Sequence, residues 1–166
     1  MNYAALDVAA YVRAVIAGIG VPADFQTLLR QLLSRPGRIL APGTAAKWPG
    51  YVFVTCEALG GRPSVAAAAA VELTAATIDI ADDLIDEEWN TAGVTWQRAL
   101  NGNVALGLLL RWCMDALCCQ LGAQRAETIR GLLVRGSLQC CAGQDLDLLL
   151  EAGTDVSEIA AYEMTR

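Results

Sequence analysis

Apolar residues recur at helical spacing along almost the whole chain, and no segment alternates polar and apolar residues as a half-buried strand does. The run Tyr51–Val54 alone has strand propensity, but it sits inside a longer apolar segment. This pattern predicts an all-α protein. The predicted helices are Leu6–Gly18, Pro22–Leu33, Tyr51–Leu59, Pro63–Glu88, a short Thr95–Leu100 segment, Val104–Leu121, Arg125–Leu150 and a last one capped by Asp155 or Ser157.

Length and composition indicate one domain with incompletely covered apolar faces. The chain has 166 residues, enough for a single helical domain over 1–166. Hydrophobic residues make up 55% and charged residues 18%, which is apolar for a soluble monomer. We therefore expect either a homodimer or a missing C-terminal half to cover these faces, and no monodisperse monomer in solution.

The charge balance excludes nucleic acids as expected partners, and the sequence predicts neither a membrane span nor a secretory signal. Eighteen acidic residues against twelve basic ones give a net charge of -6, which is unsuited to nucleic-acid phosphates. Charged residues interrupt the long apolar stretches Val65–Ala81 and Val104–Gly122, so neither predicts a membrane span. The N-terminus lacks a basic segment followed by an apolar run, and the cytoplasm is the expected compartment.

The chain contains no histidine and six cysteines. Without an imidazole, Ser-His-Asp and Cys-His nucleophilic catalysis are excluded, so any chemistry must use carboxylates, metal ions or cofactors. Cys118-Cys119 and Cys140-Cys141 are adjacent pairs. We expect the cysteines to be buried small hydrophobic residues, with metal or redox chemistry as the alternative.

Five acidic residues of the Pro63–Glu88 helix form what we call the acidic stripe: Glu72, Asp79, Asp82, Asp83 and Asp86. At about 100° per residue they share an arc of roughly 100°. Like charges three and four residues apart destabilise a helix by about 0.2–0.5 kcal/mol per pair, and a divalent cation would reverse that effect. Because the stripe interrupts an apolar helix, a metal site is favoured over the alternative, a solvated acidic face.

Several short motifs resemble those of the trans-isoprenyl diphosphate synthases, the polyprenyl synthetase family. The sequence Asp82-Asp83-Leu84-Ile85-Asp86 is similar to the first aspartate-rich motif of that family. The resemblance extends from about Pro49 to the last residue. Its other landmarks are Cys56–Gly61, Ala69–Leu73, Gly102-Asn103, Gly143-Gln144 with Asp147, and Tyr162 with Met164.

The resemblance implies an isoprenoid-synthase-type helical bundle, of which this chain is about the first half. It implies that Asp82, Asp83 and Asp86 bind Mg²⁺, and that an allylic prenyl diphosphate bound there is ionised. It further assigns Gln144 to the catalytic set with the aspartates, and Lys47, Gln144 and Asp147 to substrate binding. The metal would withdraw charge from the leaving diphosphate.

The chain departs from the family pattern in its basic residues. Ala45 and Ala46 stand where the family has basic residues, and Thr91-Ala92 replaces a pair of arginines. Lys47 and Gly37-Arg38 supply nearby cations out of register. We therefore expect weaker binding of isopentenyl diphosphate than of an allylic diphosphate.

The chain ends at Arg166, before a second aspartate-rich motif. This is expected of a piece of a longer chain or of a short form that works with a partner. The alternative function is a non-catalytic partner subunit or a helical dimerisation domain of a prenyl synthase complex.

Overall fold

The computed structural model describes residues 5–42, 47–62 and 64–151. Every regular element in these ranges is an α-helix, which confirms the predicted class. The six helices are α1 (Ala5–Gly18), α2 (Ala23–Leu32), α3 (Lys47–Ala58), α4 (Val65–Ile85), α5 (Trp96–Leu121) and α6 (Ala123–Glu151). The predicted helix capped by Asp155 or Ser157 lies outside the described residues.

Several helix boundaries differ from the predicted ones, and α3 begins at Lys47, four residues before the predicted start at Tyr51. α4 begins at Val65, because the Ser64 hydroxyl caps it by accepting a hydrogen bond from the Ala67 N–H at 3.2 Å. It ends at Ile85, three residues before the predicted end. The predicted short segment and the helix after it are one continuous helix, α5, capped by Thr95. The separate Thr95–Leu100 segment was therefore wrong.

α4 is the central helix of the described fold, since α1, α3 and α5 all pack against it. Its buried residues include Ala66, Ala68, Ala69, Ala70 and Ala76. Small side chains let neighbouring helices approach closely, because the distance between packed helices depends on the side chains at the contact. The alanine-rich run is thus both a strong helix former and the surface on which the core is built.

α2 packs against α5 at a glycine. A β-carbon added to Gly102 would lie 2.5 Å from Cδ1 of Leu32 and 3.5 Å from side-chain atoms of Leu28. Both leucines are fully buried. The absence of a side chain at Gly102 therefore sets how closely the two helices meet.

Backbone contacts divide the chain into two units, 1–126 and 127–166. The first contains α1 to α5 and the beginning of α6. The second contains most of α6. The expectation of a single domain over 1–166 stays a prediction.

The six cysteines differ in burial. Cys113 is fully buried, and a hydrogen bond joins its thiol on α5 to the Tyr11 hydroxyl on α1. Cys56 is half-buried, and Cys118, Cys119, Cys140 and Cys141 are exposed. The prediction of buried cysteines was wrong for these four, because their helices leave each of these side chains accessible to solvent.

One helix in the described ranges, α5, is long and apolar enough to cross a membrane by length and composition alone. Core helices of soluble proteins meet the same criterion, so it establishes no span.

Candidate functional site

The acidic stripe runs from the middle of α4 to its C-terminal end, and its members differ in exposure. Asp79, Asp82 and Asp86 are exposed, and Asp83 is half-buried. Glu72 is fully buried, with 0% of its surface accessible. The prediction that these acids share one helix face is correct in angle, but Glu72 lies under a neighbouring segment.

That segment is the loop between α2 and α3, and Arg38 joins it to the stripe. Its Nη2 lies 2.7 Å from Oδ2 of Asp79, and its Nη1 lies 4.0 Å from Oε1 of Glu72. The guanidinium is largely buried, and its Nη1 has no hydrogen-bond partner within the described residues. Arg38 therefore neutralises charge on the stripe while retaining unused donor capacity.

Glu72 is held by the same loop. Its Oε1 accepts a hydrogen bond from the Ile39 N–H at 3.0 Å, while its Oε2 is buried without a partner in the described ranges. Burial raises the pKa of Glu72 to about 7; Arg38 and the Ile39 N–H lower it in part, and Asp79 adds to the rise. Glu72 is thus a carboxyl group that titrates near neutral pH.

Arg35 binds the C-terminal part of the stripe. Its guanidinium pairs with the Asp83 carboxylate and lies over the Trp89 ring, 4.7 Å from the ring centroid. Burial lowers the pKa of Arg35, and the neighbouring Arg38 lowers it further, whereas Asp79 raises it. Arg35 therefore connects the loop after α2 with the loop after α4 through an ion pair and a cation–π contact.

An open cleft of about 780 Å³ lies beside the end of α4. Trp89 lines this cleft, and the Arg35 guanidinium lies over its ring. The cleft therefore adjoins the Arg35–Asp83 pair. The Trp89 indole N–H donates to the Val94 carbonyl oxygen at 2.9 Å, which fixes the ring. The residues that line the cleft are Leu84, Glu87, Trp89, Val94, Thr95, Trp96 and Gln97.

The donor set at the end of α4 is compatible with Mg²⁺ shared with a phosphate ligand. No group of three or more cysteine or acidic side chains in the described residues is arranged as a metal centre. Mg²⁺ usually takes only one or two protein carboxylates and completes its coordination with water and substrate phosphates. Asp82 and Asp86, one helical turn apart and exposed, offer two.

The electrostatics of this end of α4 also favour a cation. Six acidic residues lie between positions 79 and 88, and α4 has no basic residue in its last turn. The helix C-terminus carries partial negative charge of its own. The two arginines therefore leave a formal excess of negative charge.

The remaining predicted site residues are Lys47, Gln144 and Asp147. Lys47 is the exposed first residue of α3, and no ion pair joins it to the stripe. Gln144 and Asp147 are half-buried residues of α6 in the second unit. The proposed roles of all three stay predictions.

The sequence analysis did not assign the two basic residues of the site to the acidic stripe. It named Arg38 only as a cation out of register, and it gave Arg35 no role. The available signal was the turn Pro36-Gly37, which places two arginines of a weakly charged chain within four residues.

No protein-family model, curated protein or solved structure matches this chain.

Proposed function

We propose that the chain is an isoprenoid-synthase-type domain that binds an allylic prenyl diphosphate through Mg²⁺ at the C-terminal end of α4. The observation that carries the proposal is the meeting of the acidic stripe with Arg35 and Arg38 on one surface. A metal diphosphate requires carboxylates for the cation and basic groups for the phosphates.

Each group has a separate task in this proposal. Asp82, Asp83 and Asp86 hold the metal, which when bound withdraws charge from the leaving diphosphate. Arg35 and Arg38 contact phosphate oxygens in place of the basic residues that the sequence lacks at Thr91-Ala92. The apolar side of the adjoining cleft, with Leu84 and Trp89, excludes water from the hydrocarbon. Gln144, Asp147 and Lys47 remain proposed contacts of the same ligand.

The expected result is thermal stabilisation by Mg²⁺ together with dimethylallyl diphosphate. At one hundred times Kd, a ligand stabilises the folded state by about 2.7 kcal/mol, which raises Tm by several degrees in a chain of this size. Asp82→Ala and Asp83→Ala should abolish the rise. Each variant is compared with its own ligand-free Tm, because Asp83 also pairs with Arg35.

Glu57→Gln, an exposed carboxylate change on α3, is the matched control and should keep the full rise. Isopentenyl diphosphate with Mg²⁺ should stabilise the protein less than the allylic compound. An equal rise in the Asp82 and Asp83 variants would refute the site, and efficient chain elongation with isopentenyl diphosphate would refute the expected preference.

The second candidate is a non-catalytic partner subunit or helical dimerisation domain, in which the ion pairs only hold the loop to α4. The pairing of Arg35 and Arg38 with the acids favours it. Under this alternative, Arg35→Gln and Arg38→Gln lower Tm by the same amount with and without Mg²⁺ and the diphosphate. Under the proposed function, they also reduce the ligand-induced rise.

A further inference from the structure

We infer that Glu72 is a positioning residue of the proposed diphosphate site, and that it acts through Arg38. The two residues meet where the loop between α2 and α3 lies against α4. Glu72 holds the main chain of that loop, and the guanidinium of Arg38 reaches from the same place to the exposed part of the acidic stripe. This inference rests on the proposed function, in which Arg38 contacts phosphate oxygens.

A tight turn places the basic groups within the loop. The Arg38 N–H donates to the Arg35 carbonyl oxygen at 3.0 Å, and the residues between them are Pro36 and Gly37. Gly37 has a φ of 83°, and a proline followed by a glycine with positive φ is typical of a type II turn. The turn therefore fixes the two arginines relative to each other. It does not fix them relative to α4.

Glu72 fixes the main chain of the loop against α4. Its Oε1 accepts a hydrogen bond from the Ile39 N–H at 3.0 Å, one residue after Arg38. The glutamate is fully buried, and Ile39 is buried as well. A bond to the adjacent backbone amide sets the point from which the Arg38 side chain extends, and the reach of its guanidinium follows from that point.

The guanidinium of Arg38 lies between a buried and an exposed carboxyl group. Its Nη1 lies 4.0 Å from Oε1 of Glu72, and its Nη2 lies 2.7 Å from Oδ2 of Asp79, whose side chain is 51% exposed. A planar guanidinium binds phosphate through two parallel N–H groups, so its orientation matters as much as its charge. Loss of Glu72 removes the constraint at the buried end and lets the guanidinium turn about its contact with Asp79.

A purely structural role accounts poorly for Glu72. Its Oε2 is buried without a partner within the described residues, and a carboxyl group in that state costs free energy that an apolar side chain would not. Leu73 and Ala76, close to it on α4, are buried apolar residues. Departures of this kind from an apolar core are expected where a residue serves a functional site.

The test is a double-mutant cycle on Glu72 and Arg38, measured as the Kd for inorganic pyrophosphate in the presence of Mg²⁺. Calorimetric titration of the full chain gives this Kd for wild type and for each variant. Glu72→Leu and Arg38→Gln should each raise Kd by about tenfold or more. The double variant should bind no more weakly than Arg38→Gln alone, because residues that act through one another are not additive.

Two further variants separate positioning from folding. Glu72→Gln keeps an acceptor for the Ile39 N–H and should leave Kd within about twofold of the wild-type value. Leu117→Ala should lower Tm without raising Kd, because it removes a fully buried side chain of α5 far from the loop. This part of α5 lies at the opposite end of α4, where Gln120 accepts a hydrogen bond from the Ser64 hydroxyl. If circular dichroism shows that Glu72→Leu does not fold, Glu72→Asp takes its place, since it withdraws the carboxyl group from Ile39 by one methylene and should raise Kd in the same way.

Wild type and the variants together distinguish this inference from the proposed function. If wild type binds pyrophosphate and Glu72→Leu binds it equally well, the inference is wrong and the proposed function stands. The same holds if the two single losses add in the double variant, because Glu72 would then act by a route other than Arg38. A Kd for Glu72→Gln as weak as that for Glu72→Leu also overturns the inference, since the bond to Ile39 would not be what positions the guanidinium. Wild type that does not bind pyrophosphate refutes the proposed function and the inference together.

Discussion

The free energy of unfolding should fall by about 3 kcal/mol as the pH rises from 4.5 to about 7, through the titration of Glu72 alone. Burial raises the pKa of this carboxyl from 4.5 to about 7. In this pH range the unfolded state has released the proton and the folded state still binds it. Stability contributed by the protonated form is therefore complete below pH 4.5 and is lost as the pH approaches 7.

Glu72→Gln isolates this effect, because glutamine does not titrate and its carbonyl oxygen can still accept from the Ile39 N–H. Denaturant unfolding at several pH values gives the free energy of unfolding of wild type and of Glu72→Gln. The fall between pH 4.5 and about 7 should be larger in wild type, and the difference between the two falls is the contribution of Glu72. Glu57→Gln is the control, since Glu57 is an exposed carboxylate on α3; it should leave the Glu72-dependent fall in place. Parallel pH profiles for wild type and Glu72→Gln would contradict the expected titration.

Gly102→Ala should destabilise the protein relative to Gly107→Ala, a matched change in the same helix. Both substitutions gain about 1 kcal/mol of helix propensity. Only at position 102 does the new β-carbon meet a neighbour, 2.5 Å from Cδ1 of the fully buried Leu32. Overpacking of this kind costs about 1–3 kcal/mol, so the difference between the two variants should have that size.

Urea unfolding measures the two free energies, at a protein concentration low enough for the chain to be monomeric. At position 107 a β-carbon has no neighbour within 4 Å, and Gly107→Ala should be more stable than wild type. Equal stability of the two variants would show that Leu32 and Leu28 can move aside without cost. The contact between α2 and α5 would then be looser than the structure indicates.

Helical spacing was sufficient to predict the class and most helices, because amphipathic periodicity is a local property. It placed a helix start at Val104, two residues after Gly102, whereas that glycine lies inside α5 where α2 approaches. A glycine needed for close packing and a glycine that ends a helix look the same in one sequence. The difference depends on Leu32, seventy residues earlier in the chain.

The acidic stripe was likewise predicted from the spacing within one helix. Its partners Arg35, Arg38 and Ile39 were not predicted. The angle of Glu72 around α4 gives no indication of burial, since burial depends on where the loop carrying Arg38 and Ile39 lies. Arg35 meets Trp89 only because two loops converge at the end of α4. Contacts of this range require the tertiary structure.

The buried thiol of Cys113 can serve as a probe of how often the folded core opens. Burial raises its pKa to about 11, so at pH 7 only about one thiol in ten thousand is ionised even before access is considered. The other five cysteines are half-buried or exposed and will react with a thiol reagent first. Reaction of the sixth cysteine, Cys113, requires the core around it to open, because its thiol is fully buried. The rate of this slow reaction therefore reports how often the core opens.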